Sequence, residues 1–182
     1  MDLELTGWKL NKGDKNMEII KVRRSVREFS DKEILDSDIR KIIEAGICAP
    51  SAMNQQPWEF IVIKDKDILN KLSEQLSPLY AKSKVSIILC MRKTNLKSPT
   101  RTPQDMSACM QNMMLEATNL KIGSCWIGTY PDPTRMQPLS TILNIPDDIE
   151  PFCGLVLGHP KDLTVFKEVE RKAIIHNNYY NA

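Results

Sequence analysis

Apolar positions along the chain follow two rhythms, and where each begins and ends predicts the elements. Ile39, Ile42, Ile43, Gly46 and Ile47 fall at the i, i+3, i+4, i+7, i+8 spacing of one helix face. Asp36 or Ser37 is placed to cap that helix, and Pro50 forbids its continuation. Trp58-Glu59-Phe60-Ile61-Val62-Ile63 is a β-rich run, followed over residues 67–76 by a helix with Ile68, Leu69, Leu72 and Leu76 on one side. Residues 85–91 form an apolar run of buried-strand length. The polar stretch 95–103 holds two prolines and reads as a mobile loop over a site.

Thr102 and Asp105 are spaced to cap a helix through Met106, Met110, Met113, Met114 and Leu115 to Asn119, with Gly123 as its stop. A short strand over 124–129, a proline-interrupted helix over 133–143, a turn at Pro146-Asp147-Asp148 and a strand over 152–158 complete the core. At the start, residues 1–16 carry only isolated apolar side chains and read as an arm, and a helix begins at Met17. Val165, Phe166, Val169, Ile174 and Ile175 make the tail over 161–182 a C-terminal extension rather than frayed chain. Helices and strands alternate without regular βα spacing, and neither G-x-G-x-x-G nor G-x-x-x-x-G-K-[ST] occurs. The expected fold is α+β, a single domain over 17–182 with one central sheet and helices on its faces.

Composition adds little to that picture except by exclusion. The chain has 182 residues, 42% of them apolar and 26% charged, ordinary for one globular domain. Its longest apolar stretch is far below the ~20 residues that cross a bilayer, and Met1-Asp2-Leu3-Glu4 lacks the basic-then-apolar order of a signal peptide, so a cytoplasmic protein is expected. With 25 Lys and Arg against 23 Asp and Glu, the net charge of +2 supplies no field to gather nucleic acid or an anionic membrane, so any anion site is local. The five cysteines are dispersed with no C-x-x-C, which suits free buried thiols in a reducing compartment and offers no metal centre. His159 and His176 have no nucleophile or carboxylate at a recognisable spacing, so no hydrolytic triad is predicted and a reactive group would be imported.

Three segments could hold such a group. Arg23-Arg24-Ser25-Val26-Arg27 suits a phosphate clamp of guanidinium forks and a hydroxyl, or equally a helix C-terminus whose cations pair with Glu28 and Asp31. The loop Ala49 to Trp58 combines small residues with Ser51, Asn54 and Gln56, which suits the approach of a flat polar ligand or a turn with amide caps. Gly123-Ser124-Cys125-Trp126-Ile127-Gly128 lets backbone N–H groups come close to a ligand atom, and reads as well as a buried strand with a core tryptophan.

Taken in this order, the three segments resemble the nitroreductase family of FMN-dependent oxidoreductases. Leu143-Asn144-Ile145-Pro146 to Gly158-His159-Pro160 and the basic Glu170-Arg171-Lys172 extend the resemblance over residues 17–178. It implies an intertwined homodimer with a mainly antiparallel mixed sheet, and one FMN in each of two clefts lined by both subunits. Arg23, Arg24 and Ser25 would hold the FMN phosphate and ribityl chain, with Arg171 reaching the phosphate; contact of Lys167 and Lys172 with the phosphate is left open. Arg27 would lie at the pyrimidine edge, where a cation offsets the negative charge left by reduction. Pro50, Ser51, Ala52, Asn54 and Gln56 would come from the partner subunit. Ile127 and Gly128 would lie beside the ring, the Gly128 N–H donating to N5. The implied activity is NAD(P)H-dependent reduction of nitroaromatics, quinones or similar electron-poor small molecules by ping-pong hydride transfer. Reductive dehalogenation, flavin fragmentation, and flavin sensing or storage are the alternatives. Met53 stands where the family has glycine or another small residue, and the Met106–Met114 stretch is bulkier than the family's alanine-rich helix.

Overall fold

The computed structural model describes residues 15–169, 173–176 and 178–180. Ten elements succeed one another: α1 (Lys15–Val22), α2 (Asp36–Ile47), β1 (Trp58–Ile63), α3 (Lys66–Gln75), α4 (Leu79–Lys82), β2 (Val85–Arg92), α5 (Thr102–Asn119), β3 (Gly123–Gly128), α6 (Pro133–Leu143) and β4 (Ile149–Gly158). The four strands form one antiparallel sheet in the order β1-β2-β4-β3. A single parallel bridge, Ser25 to Ser124, adds the chain after α1 to the outer side of β3. The fold is therefore α+β, as the alternation of periods predicts.

The central strands explain why their sequences lack alternation. β2 and β4 lie between neighbours and are covered on both faces, so residues of either parity are apolar. On one face Ile87, Leu89, Leu155 and Leu157 pack with Ile39 and Ile42 of α2 and Met106, Met110 and Met113 of α5. On the other, Ile88, Val156 and Ile127 pack with Leu69 and Leu72 of α3, Tyr80 of α4 and Leu139 of α6. Gly46 is the contact point of α2 with α5: a Cβ there would lie 2.7 Å from Met113 Cγ and 3.0 Å from Cys109 Sγ. The methionines of α5 are thus core, filling the space against a helix that approaches closely.

Several local expectations change. α1 begins at Lys15, so the last two residues of the expected arm are helical and residues 1–14 lie outside the described residues. Neither Asp36 nor Ser37 caps α2. Leu35 occupies that position without a side-chain bond, and Asp36 and Asp38 instead sit in the first turn, where carboxylates suit the helix dipole. Thr102 and Asp105 form no capping box either, since Arg101 is the N-cap residue. α5 ends through Lys121, which takes the left-handed conformation at φ 58°, and Gly123 is already the first residue of β3. β4 starts three residues before its expected beginning, and α4 was not foreseen. No helix among the described residues is long and apolar enough to cross a membrane.

Candidate functional site

The two ends of the candidate site lie at opposite edges of the sheet. At the β3 edge, Arg23 through Arg27 runs out of α1 and settles on the strand, with the Val26 N–H donating to the Ser124 carbonyl at 2.9 Å. Backbone groups in an antiparallel strand alternate in direction. Ser124 turns its carbonyl away from β4, so Trp126 and Gly128 present their backbone groups to the same outer edge. Four residues of strand place Gly128 about 13 Å along that edge from Ser124. A Cβ built on Gly128 meets nothing within 4 Å, so packing within the chain does not require glycine there. Ile127 is only 7% exposed and belongs to the core cluster with Leu139, so its side chain supports the strand from beneath and does not face the open edge.

The cations of this segment are placed outward. Val26 and Phe29 are buried, whereas Arg23, Arg24 and Ser25 are half-buried and Arg27 is exposed. Of the two readings left open for this cluster, pairing with Glu28 and Asp31 is not realised. Glu28 pairs with Lys82 at 2.7 Å and Lys161 at 3.7 Å, and Asp31 with Lys84 at 3.4 Å. Hydrogen bonding and charge from Lys82 hold the Glu28 carboxyl below its ordinary range. Among the described residues Arg24 and Arg27 have no carboxylate partner; Arg27 donates only to the Ser25 carbonyl, at 3.4 Å. Burial pushes the neighbouring Cys125 thiol up, against the opposing pull of Arg27, Ser25 and Arg23.

The tail returns to the same place. Phe29 bridges Pro160, the Ser30 N–H donates to the His159 carbonyl at 2.8 Å, and the Lys161 N–H donates to the Glu28 carbonyl at 3.3 Å. A Cβ at Gly158 would lie within 2.6 to 2.8 Å of Phe29, so glycine is what lets Phe29 lie across the end of β4. Between segment and tail is a cleft of about 390 Å³ lined by Arg24, Ser25, Arg27, Lys161, Thr164 and Lys167. Lys21, near the end of α1, pairs with Glu168 at 3.5 Å. Glu170, Arg171 and Lys172 themselves lie outside the described residues.

Beyond the β1 edge, the loop from Pro50 to Pro57 is held in a costly shape. Met53, Asn54 and Gln56 all take positive φ, at 53°, 52° and 45°. A left-handed conformation costs a non-glycine residue roughly 1–2 kcal/mol, and such strain persists only where surrounding bonds over-determine it. Here they do. The Gln56 N–H donates to Ser51 Oγ at 3.0 Å and its side-chain amide to Asn54 Oδ1 at 2.8 Å. Asp105, 6% exposed, accepts from the Ala52 N–H at 2.9 Å and from Gln55 Nε2 at 2.7 Å. Gln55 also donates to the Ser98 carbonyl and accepts from the Ser98 N–H. Arg92 closes the set by donating to the carbonyls of Gln55 and Gln56. The outcome is a loop with Gln55 turned inward and Pro50, Met53, Asn54 and Gln56 exposed, Ser51 and Ala52 half-buried.

The structure therefore brings Arg23, Arg24, Ser25, Arg27 and Gly128 to one edge and keeps Pro50, Ser51, Ala52, Asn54 and Gln56 together away from it. The 95–103 stretch is tied to Gln55 rather than free over a site, because Ser98 is buried in that hydrogen-bonded set. Sequence reasoning missed Gln55, Asp105 and Arg92. A readable signal existed for Asp105, a carboxylate on the same buried face of α5 as Met106, Cys109 and Met113: a charge there has to be paired.

Against this geometry the comparisons are consistent. A family model described as the nitroreductase family matches residues 20–86 and 82–159. A protein of Archaeoglobus fulgidus provisionally named NADH dehydrogenase/NAD(P)H nitroreductase is 41% identical over 157 residues, spanning 85% of this chain and 90% of its own. The crystal structure of a Clostridium acetobutylicum protein, provisionally described as an NADH oxidase, matches with a TM-score of 0.86 at 34% identity, covering 89% of this chain and 99% of the other. A Desulfovibrio desulfuricans protein provisionally described as a nitroreductase, crystallised in complex with FMN, matches with a TM-score of 0.77 at 25% identity, covering 91% and 98%.

Proposed function

The chain belongs to the nitroreductase family, and from that membership and the geometry of its two half-sites we propose that it is an FMN-dependent oxidoreductase. It draws electrons from NADH or NADPH and passes them to small electron-poor acceptors of the nitroaromatic or quinone type, as a homodimer. The observation that carries this reading is the outer edge of β3, where Arg24 and Arg27, without carboxylate partners among the described residues, share one edge with the exposed Gly128. That arrangement suits a ligand with an anionic end and a flat end. The FMN bound to the Desulfovibrio desulfuricans relative supports the same choice.

Bound FMN would supply reversible two-electron redox chemistry between the nicotinamide donor and the acceptor. Arg23, Arg24 and Ser25 would hold its phosphate and ribityl chain, with Lys167 beside the cleft and Arg171 as a further phosphate ligand. Arg27 would offset negative charge at the pyrimidine edge, and the Gly128 N–H would be the donor to N5. Ile127 keeps the strand in place from the core side. Pro50, Ser51, Ala52, Asn54 and Gln56 of the partner subunit complete the cleft, because within one chain that loop and the β3 edge are separated by the width of the sheet. One such cleft would serve donor and acceptor in turn, which corresponds to ping-pong turnover and would require no acid or base from the protein.

The test is the visible spectrum of the gently purified protein before and after anaerobic NADH or NADPH. The expected result is a flavin spectrum that bleaches. A flavin that stays oxidised with both donors would favour sensing or storage, and a colourless protein that refuses added FMN would overturn the proposal.

A further inference from the structure

Asp105 is a buried carboxylate in the first turn of α5, next to Met106 of the apolar core. It does not cap its helix, since Arg101 holds that position. Both donors it accepts from are neutral and both belong to the loop after α2: the Ala52 N–H, which reaches Oδ1 at 2.9 Å, and Gln55 Nε2, which reaches Oδ2 at 2.7 Å. Helix and loop are thus joined at one carboxylate. Burying a charge costs more than burying an amide of the same shape, so the choice of Asp over Asn needs a reason.

The reason lies in the polarity of the joint, which Ser98 fixes from the other side. Gln55 Nε2 donates to the Ser98 carbonyl at 3.1 Å while Gln55 Oε1 accepts from the Ser98 N–H at 2.9 Å. The amide pairs with Ser98 as a neighbouring strand would, and turning it over would set N–H against N–H and oxygen against oxygen. Gln55 therefore offers Asp105 a hydrogen, as Ala52 does, and residue 105 has to accept at both of its terminal atoms. A carboxylate does so; an amide has a donor at one of them. What the joint holds is the segment in which Asn54 and Gln56 keep φ of 52° and 45° and face outward. We propose that Asp105 is a positioning residue for the cofactor, a role that rests on FMN being that cofactor: without touching FMN, it keeps the loop in the shape in which Ser51, Asn54 and Gln56 reach the cleft of the partner subunit.

The experiment is fluorescence titration of the full chain, freed of flavin, with FMN. The proteins compared are the wild type, Asp105→Asn, Gln55→Glu, the double variant of both, and Leu72→Ala. Each single change at the joint sets like against like, two donors or two carboxylates, and should weaken FMN binding about tenfold or more. The double variant reverses the direction of one bond: its new amide still accepts from the Ala52 N–H and now donates to the new carboxylate, which still accepts from the Ser98 N–H. Only the Ser98 carbonyl loses its donor, so affinity should return to within about threefold of the wild type. Leu72 is fully buried on the other face of the sheet, so Leu72→Ala should lower the melting temperature and leave FMN affinity unchanged. Should Asp105→Asn fail to fold, Gln55→Glu against the double variant reads the same recovery. Wild-type affinity in the single variants, a loss that the double variant does not recover, or an equal loss in Leu72→Ala would overturn the role of Asp105. A wild type that refuses FMN would overturn the cofactor reading as well, and shows before any substitution is made.

Discussion

Tyr80 shows how a residue can be fully buried and still poorly matched to its place. Its side chain has no exposure and its hydroxyl no partner, and burial raises its pKa far above the ordinary value. Tyr80→Phe removes an unpaired hydroxyl from the core, so thermal unfolding should show a variant as stable as the wild type or more stable by about 1 kcal/mol. The cysteines provide a second residue-scale expectation. Burial pushes Cys90 and Cys109 up to about 12, and raises Cys125 and Cys153 as well, whereas Cys48 is exposed at the end of α2. Reaction with a disulfide reagent at about pH 8 should therefore find one fast thiol per native chain and all five after unfolding. Met53 belongs to the same scale: its φ of 53° lies in the left-handed region that favours glycine, and its side chain is 66% exposed.

At the scale of elements, the loop over 51–56 and the stretch over 93–101 are held together through Gln55. Gln55→Leu, close to it in shape, would remove two donated bonds and one accepted bond, leaving the Ser98 N–H unpaired and the buried Asp105 short of a donor. The expected loss is about 2–4 kcal/mol in denaturant unfolding, together with faster amide exchange over 93–101 than elsewhere. How much of this was legible divides by range. α2 and α3 follow from the helical spacing of the face each buries, β1 and β2 from β-rich and apolar runs of strand length, and α6 from a proline-interrupted helical stretch. The ends are less legible. Whether Asp36 caps or merely follows the cap depends on the approach angle from Leu35, and whether the turn after α5 falls at Lys121 or Gly123 depends on β3 having to begin beside Val26. Asp105 looks like a cap in sequence because its true partners, Ala52 and Gln55, lie some fifty residues away. That Glu28 and Asp31 do not neutralise Arg24 and Arg27 was not legible, because they pair with Lys82, Lys161 and Lys84, lysines that sequence proximity does not indicate.

For the whole molecule, the strand order β1-β2-β4-β3 is the governing fact. It assigns the strained loop to one flank of the sheet and the cationic edge to the other, so on the proposed reading each chain supplies half of two shared clefts. On the proposed reading, cofactor binding and dimer assembly are linked: added FMN should raise the melting temperature and shift the sedimentation equilibrium toward dimer, since a ligand favours the state that binds it. The same separation has a genetic consequence. Take one parent altered at Arg23 and another altered at Asn54 and Gln56, each inactive as a homodimer. Reassorted into mixed dimers, every molecule would combine both lesions in one cleft and have none in the other. Two dead parents should thus yield partly active offspring, by intersubunit complementation, whereas a site built within one chain would leave the mixture as inactive as its parents.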